Sequence, residues 1–220
     1  MGCYHSPSDL SLACKVVDAP DLQRYFQSAT FSTSAERLDQ CPDGTYAEIA
    51  FAGRSNAGKS SAINALCSQK RLARTSKTPG RTQLINFFAL SDERHLVDLP
   101  GYGYAKVAHS KKLRWQRHLE NYLVKRSNLA ALVVLMDIRH PLQASDEMML
   151  NWANEYQLPC IALLTKADKL KRGAARQAEQ NLMRPFADSH PLQSNILFSA
   201  MRGDGLDTLR ESLYALLHSE

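Results

Sequence analysis

Hydrophobic runs are short in this chain. None approaches the roughly 18 residues a helix needs to cross a bilayer, and no apolar signal-peptide core follows the first residues, so no membrane is expected among its partners. Cysteine is scarce as well. The five (Cys3, Cys14, Cys41, Cys67 and Cys160) are odd in number, scattered, and form no C-x-x-C pair. That argues against a disulfide framework or structural zinc and predicts a reduced, cytoplasmic protein. The seven histidines show no metal-ligand spacing. No internal repeat or low-complexity linker divides the 220 residues, and a 44% hydrophobic content suffices for one domain with a substantial core. A monomer is expected. Residues Met1 to Ser6 fit an M-G-x-x-x-S myristoylation pattern, with Cys3 as a second acylation site, and open a stretch without periodicity. Residues 1–23 are expected to be a loosely ordered arm and residues 24–220 the folded domain.

What the chain does have is a phosphate-binding octapeptide, Gly53-Arg54-Ser55-Asn56-Ala57-Gly58-Lys59-Ser60. Its glycines let the loop curl so that successive backbone N–H groups point at phosphate oxygens. Lys59 brings positive charge to the β- and γ-phosphates, and the Ser60 hydroxyl completes the shell of a bound Mg²⁺. The apolar run Tyr46 to Ala52 before the loop and the helical stretch Ser61 to Cys67 after it give the order strand, loop, helix that the motif requires.

Downstream, the strand Cys160 to Leu164 leads into Thr165-Lys166-Ala167-Asp168. A carboxylate at Asp168 can accept from both N1–H and the 2-amino group of guanine; adenine offers neither donor and leaves the carboxylate unpaired. The stem of Lys166 can lie along the base or brace the phosphate loop. Asp98-Leu99-Pro100-Gly101 has the D-x-x-G form of a segment facing a γ-phosphate, with Asp98 holding Mg²⁺ through a water and the Gly101 N–H sensing the phosphate. The polar loop Thr78 to Gln83 offers Thr82, or alternatively Thr78, to Mg²⁺. Phe198-Ser199-Ala200, ending the last strand, is placed to offer N–H groups to guanine O6.

Together G-R-S-N-A-G-K-S-S, T-P-G-R-T-Q-L-I-N-F-F, D-L-P-G-Y-G-Y-A, D-I-R-H-P-L and T-K-A-D resemble the EngB (YihA/YsxC) family of small bacterial GTPases, over about residues 24–218. The resemblance implies a GTP-hydrolysing switch that assists assembly of the large ribosomal subunit and is associated with normal septation. It assigns Gly53 to Ser60 to the phosphates, and Ser60 and Thr82 to Mg²⁺. Gly80, Arg81, Thr82, Gln83 and Leu84, with Asp98 to Gly101 (Leu99 and Pro100 included), form the two switch segments. Thr165, Lys166, Ala167 and Asp168, with Phe198 to Ala200, hold the base. A bacterial family also argues against acylation of Gly2. After D-L-P-G stands Tyr102, where Ras-type enzymes carry a glutamine that orients the attacking water, so the source of water positioning is open. Asn56 sits where bacterial GTPases resembling MnmE hold K⁺; the alternative is that it stabilises the loop turn. The catalytic set expected is thus Lys59, Thr82 and Asn56.

The rest of the pattern alternates strand and helix. Strands are expected at Leu84 to Leu90 and His95 to Val97, paired as an antiparallel hairpin around Asp92 and Glu93, then at Leu129 to Met136 and Asn195 to Ser199. Helices are expected over Lys111 to Ser127, from a cap at Ser145 to about Tyr156, over most of Gly173 to Phe186, and over Leu206 to His218. That predicts a three-layer α/β P-loop GTPase fold, with a mostly parallel six-stranded sheet and one antiparallel edge hairpin.

Charge is uneven. Lys70 to Arg126 carry 13 Lys or Arg against 4 Asp or Glu, an excess of +9 in a chain whose net charge is +5. Lys106, Lys111, Lys112, Arg114 and Arg117 lie in this segment. It reads either as a solvated face or as a phosphate-backbone contact surface that RNA would fit; with the resemblance, the partner implied is ribosomal RNA and not DNA. Two function classes follow: a GTP-hydrolysing assembly switch, or an RNA- or protein-binding module stabilised by nucleotide with negligible hydrolysis. A metabolic P-loop kinase is disfavoured by T-K-A-D.

Overall fold

Alternation along the central strands sets the architecture. In β2 (Glu48–Gly53), Ile49 and Phe51 face one side of the sheet, Ala50 and Ala52 the other. The same split separates Ala131, Val133 and Leu135 from Leu132, Val134 and Met136 in β5 (Leu129–Asp137). In β6 (Cys160–Thr165) it separates Ile161 and Leu163 from Ala162 and Leu164. Both faces are apolar and both are covered, as parallel strands require. A fully buried side chain of the size of Phe51 contributes about 1.5–3 kcal/mol.

The computed structural model describes residues 18–43, 47–73, 84–102, 117, 119–183 and 192–219. Within them lies a seven-stranded sheet of order β1-β3-β4-β2-β5-β6-β7, completed by β1 (Thr30–Ala35), β3 (Ile85–Ala89), β4 (His95–Asp98) and β7 (Leu192–Leu197). From β4 through β2 and β5 to β7 the neighbours are parallel, and β3 is antiparallel to both β4 and β1. Helices α1 (Ala19–Gln27), α2 (Lys59–Leu66) and α6 (Leu206–Leu217) cover the Ile49 face. A helical stretch at residues 119–125 (α3), α4 (Ala144–Glu155) and α5 (Arg172–Met183) cover the other.

The three-layer reading stands, and so does the β3–β4 hairpin, closed by the Leu90 N–H donating to Arg94 O at 2.8 Å. Strand number is corrected from six to seven. The added strand, β1, reads T-F-S-T-S-A and buries only Ala35, so it carries little apolar alternation; its backbone pairing to β3 places it. The arm boundary at residue 23 falls inside α1, which buries Leu22 and Phe26 and starts at Ala19 with Pro20 in its first turn, where no N–H partner is needed. Residues 1–17 lie outside the described residues. The α4 cap is also corrected: the N-cap is Gln143, whose N–H donates to Asp146 Oδ2 at 3.1 Å, and Ser145 lies within the helix. Of the long basic helix, residues 117 and 119–125 are described as helical; residues 111–116, with Lys106, lie outside. Tyr122 donates to the fully buried Glu48 at 2.9 Å and Arg126 pairs with the same carboxylate, fastening α3 to the start of β2.

Candidate functional site

The carboxyl ends of β2, β4, β5 and β6 meet at one edge of the sheet, where loops can converge on a ligand. Gly53 closes β2 so tightly against β5 that a Cβ there would lie 3.0 Å from Leu135 O. The chain then turns through Arg54 to Gly58: the Ala57 N–H donates to Arg54 O at 2.9 Å, Asn56 takes φ 65° and Gly58 φ 96°. Positive φ suits glycine, and asparagine tolerates it better than most residues. Lys59 is the first residue of α2, so the octapeptide ends on a helix N-terminus, the arrangement read from the sequence.

Asp98 ends β4 and pairs with the Lys59 ammonium; both side chains are largely buried. Ser60 follows in the first turn of α2. A hydroxyl and a carboxylate there are hard oxygen donors, the chemistry that Mg²⁺ takes, so the residues present fit that ion. Beyond Asp98 the D-x-x-G segment is stitched to the phosphate loop. The Leu99 N–H donates to Phe51 O at 3.1 Å, the Tyr102 N–H to Gly53 O at 3.2 Å, and the Ser55 N–H to Tyr102 O at 3.1 Å. A Cβ on Gly101 would lie 3.4 Å from the backbone of Ser55. The Tyr102 side chain turns into the interior. It is buried, and its hydroxyl donates to Asp146 Oδ1 at 3.2 Å. Burial raises the phenol well above its ordinary value, with the Asp146 charge adding to that; burial likewise raises the Asp146 carboxyl.

Thr165-Lys166-Ala167-Asp168 forms the other half. The Thr165 hydroxyl donates to Ala57 O at 2.5 Å, with Met136 O at 3.1 Å. Lys166, at φ 60°, spans from Asn56 O at 2.7 Å to Asp137 Oδ2 at 2.9 Å, so of the two roles open to it, the bond made is the brace on the phosphate loop. Asp137 is shared with Arg139, whose hydrogen bonds, followed by those of Lys166, hold the carboxyl below the usual carboxylate range. The Asp168 carboxyl is lowered, first by the Ser199 hydroxyl donating to Oδ1 at 2.8 Å and then by Lys169. Phe198 N–H donates to Leu164 O and Ala167 N–H to Phe198 O, which seats residues 198–200 beside Asp168.

The structure therefore brings together Gly53 to Ser60, Asp98 to Gly101, Thr165 to Asp168 and Phe198 to Ala200. Gly80, Arg81, Thr82 and Gln83 lie outside the described residues, as do Thr78, Lys111, Lys112 and Arg114. Leu84 is described and half-exposed just before β3. Sequence reasoning missed Asp137, Asp146 and the Ser199 side chain as parts of the site. Asp137 had a usable signal, since it ends an apolar strand two residues before an arginine.

A family profile described as 50S ribosome-binding GTPase matches residues 48–166, more than half of the chain. Among solved structures, a probable GTP-binding protein engB superimposes with a TM-score of 0.64 at 23% identity, over 79% of this chain and 100% of that one. The G domain of the T. maritima FeoB iron transporter gives 0.53 at 21% identity, over 78% and 98%. Era from Aquifex aeolicus, bound to GDP and AlF4⁻, gives 0.59 at 19%, over 80% and 58%. A bacterial selenocysteine-specific elongation factor is matched over 29% of its longer chain, at 21% identity and a TM-score of 0.58. At these identities the likeness to solved structures is one of fold.

Proposed function

The chain belongs to the 50S ribosome-binding GTPase family, and on that premise we propose that it is a GTP-hydrolysing switch of the EngB kind, assisting assembly of the large ribosomal subunit and, through it, normal septation. The observation that carries the nucleotide reading is the pair of bonds from Thr165 to Ala57 O and from Lys166 to Asn56 O. They join the base-reading segment to the phosphate loop, so that one ligand with a base at one end and phosphates at the other is engaged by both.

In this reading the N–H groups of Gly53 to Ser60 and the Lys59 ammonium bind the phosphates. Asp168, held ionised, accepts from guanine N1–H and the 2-amino group, while Ser199 and Ala200 lie beside O6. Ser60 and Thr82, with Asp98 behind, would hold Mg²⁺, which would supply charge neutralisation to the phosphates. The Gly101 N–H, fixed between Leu99 and Tyr102, meets the γ-phosphate. Water is left to be oriented by something other than residue 102, because the Tyr102 ring is committed to the interior. That commitment also favours a second reading, a nucleotide-stabilised binding module with negligible hydrolysis.

Single-turnover GTP hydrolysis, with and without large ribosomal subunit precursors, separates the two readings. The switch predicts a slow intrinsic rate that rises with the particle; no turnover in either condition leaves the binding module. The same assay in K⁺ and in Na⁺ tests Asn56. A K⁺-dependent rate lost in Asn56→Ala assigns it a cation-holding role, whereas equal rates in both salts leave it the loop turn that its φ of 65° already requires.

A further inference from the structure

Helix α4 carries two faces of different character. Asp146, Met149, Leu150 and Ala153 are buried against the sheet. On the other side, Met148 and Tyr156 are each close to half exposed, and Trp152, one turn from both, is only partly buried. Spacing of four residues sets the three in one stripe along the helix. Trp152 and Tyr156 stack with centroids 4.7 Å apart and 28° between planes, which makes them one rigid aromatic plate. Glu147 and Glu155 stand exposed along this surface, and residues 143–157 contain no lysine or arginine.

Met and aromatic side chains rimmed by acids repel a phosphate backbone and suit a cationic protein, whose basic groups meet the rim while an apolar anchor covers the stripe. The surface is thus the electrostatic opposite of the basic segment at Lys70 to Arg126. Its position is also coupled to the nucleotide end of the molecule. Asp146, in the first turn of α4, accepts from the Tyr102 hydroxyl, and Tyr102 is bonded through its own N–H and C=O to Gly53 and Ser55 on either side of Arg54. Gly101, the γ-phosphate sensor in the reading above, is the residue next to Tyr102.

We propose that the Met148–Trp152–Tyr156 face of α4 docks a basic protein of the large ribosomal subunit, and that Tyr102 and Asp146 make this docking follow the bound nucleotide. The inference rests on the ribosomal reading above. Tyr102 is here a positioning residue: it touches neither phosphate nor base, and acts through Gly101 on one side and α4 on the other. A ligand that fixes Gly101 fixes Tyr102, and the Tyr102 hydroxyl then holds the N-terminal end of α4 in one place.

The test uses the full chain and two probes, intact large ribosomal subunits and the deproteinised rRNA from the same subunits, each with a non-hydrolysable GTP analogue and with GDP. The surface variant is Glu147→Lys/Glu155→Lys/Tyr156→Ala, all at exposed positions; circular dichroism and GTP affinity equal to wild type establish that it is folded. It is expected to lose at least tenfold in affinity for intact subunits while binding deproteinised rRNA as well as wild type does. The coupling variant, Tyr102→Phe, is expected to retain binding to subunits but to show a smaller ratio of analogue-bound to GDP-bound affinity, a change that a general loss of stability would not produce. Wild-type affinity of the triple variant for intact subunits overturns the docking face. Equal loss on subunits and on bare rRNA overturns a protein as the occupant, and an unchanged ratio in Tyr102→Phe overturns the coupling. If wild type binds no subunits with either nucleotide, the ribosomal reading falls and this inference with it; wild-type binding beside an unaffected triple variant removes this inference alone.

Discussion

At the scale of single residues, the most consequential carboxylate is Asp168. Its side chain is largely buried; its partners are the Ser199 hydroxyl and Lys169, both of which favour the ionised form. An ionised carboxylate has only acceptors to offer, which suits the two donors on the guanine edge and no arrangement on adenine. Asp168→Asn is therefore expected to weaken GTP binding by about 2–3 kcal/mol, roughly 30- to 150-fold, and to gain affinity for xanthine nucleotides, whose 2-oxo group accepts. Titration with labelled GDP and XDP checks it, and unchanged GDP affinity with no gain for XDP removes Asp168 from the base. The placement of Lys59 at the start of α2 and of Asp168 just after β6 was legible because their motifs fix both residue type and neighbours. Tyr102 was legible only as a departure from a pattern. That its hydroxyl reaches a residue 44 positions away is a fact of packing, which no local spacing encodes.

Elements differ in how strongly the chain announces them. Strands β2, β5 and β6 are continuous apolar runs buried on both faces, and the expected limits match the observed ones to within two residues. β1 escaped because an edge strand needs no apolar alternation, and T-F-S-T-S-A carries little. At the start of α6, Gly205 shows a local demand that is strict. It takes φ 72°, and a Cβ would stand 2.2 Å from Leu197 O at the end of β7. Gly205→Ala is expected to cost about 2–4 kcal/mol, through left-handed strain plus displacement of that carbonyl. Thermal denaturation should show a Tm lower by roughly 5–15 °C for a domain of this size, and an unchanged Tm would mean that the turn relaxes freely. Because residues 198–200 lie in the same turn, guanine nucleotide affinity should fall alongside stability.

Across the whole molecule, charge is unevenly distributed along the chain. The excess of +9 between Lys70 and Arg126 contrasts with −4 over the remaining residues. This segment contains both proposed switch segments, so a contact made by it is expected to depend on the γ-phosphate. Binding to large-subunit precursors is expected to be tighter with a GTP analogue than with GDP, and to weaken linearly in log K against log salt as counterions are released, by about 0.7–0.9 per neutralised phosphate. Reversal of Lys111, Lys112 and Arg114 to glutamate should weaken particle binding with nucleotide affinity nearly intact. Sedimentation with purified particles over a salt series measures both; a triple variant that keeps particle binding and loses only GTP leaves the segment a solvated face.

The sequence by itself determined the order of strand and helix, the phosphate loop, the D-x-x-G and T-K-A-D segments and the uneven charge. These depend on short-range constraints: a turn that only glycine tolerates, a hydroxyl beside a lysine, an apolar period of two or of 3.6. Tertiary structure alone decided that Lys166 braces Asn56, that Asp137 holds Lys166, that Ser199 serves Asp168 through its side chain, and that Tyr102 turns inward to Asp146. Each of these joins residues between 29 and 110 positions apart. Such pairs form only when parallel strands bring the carboxyl ends of distant segments to one edge of the sheet, and it is the burial of both sheet faces, not any local preference, that holds those strands in register.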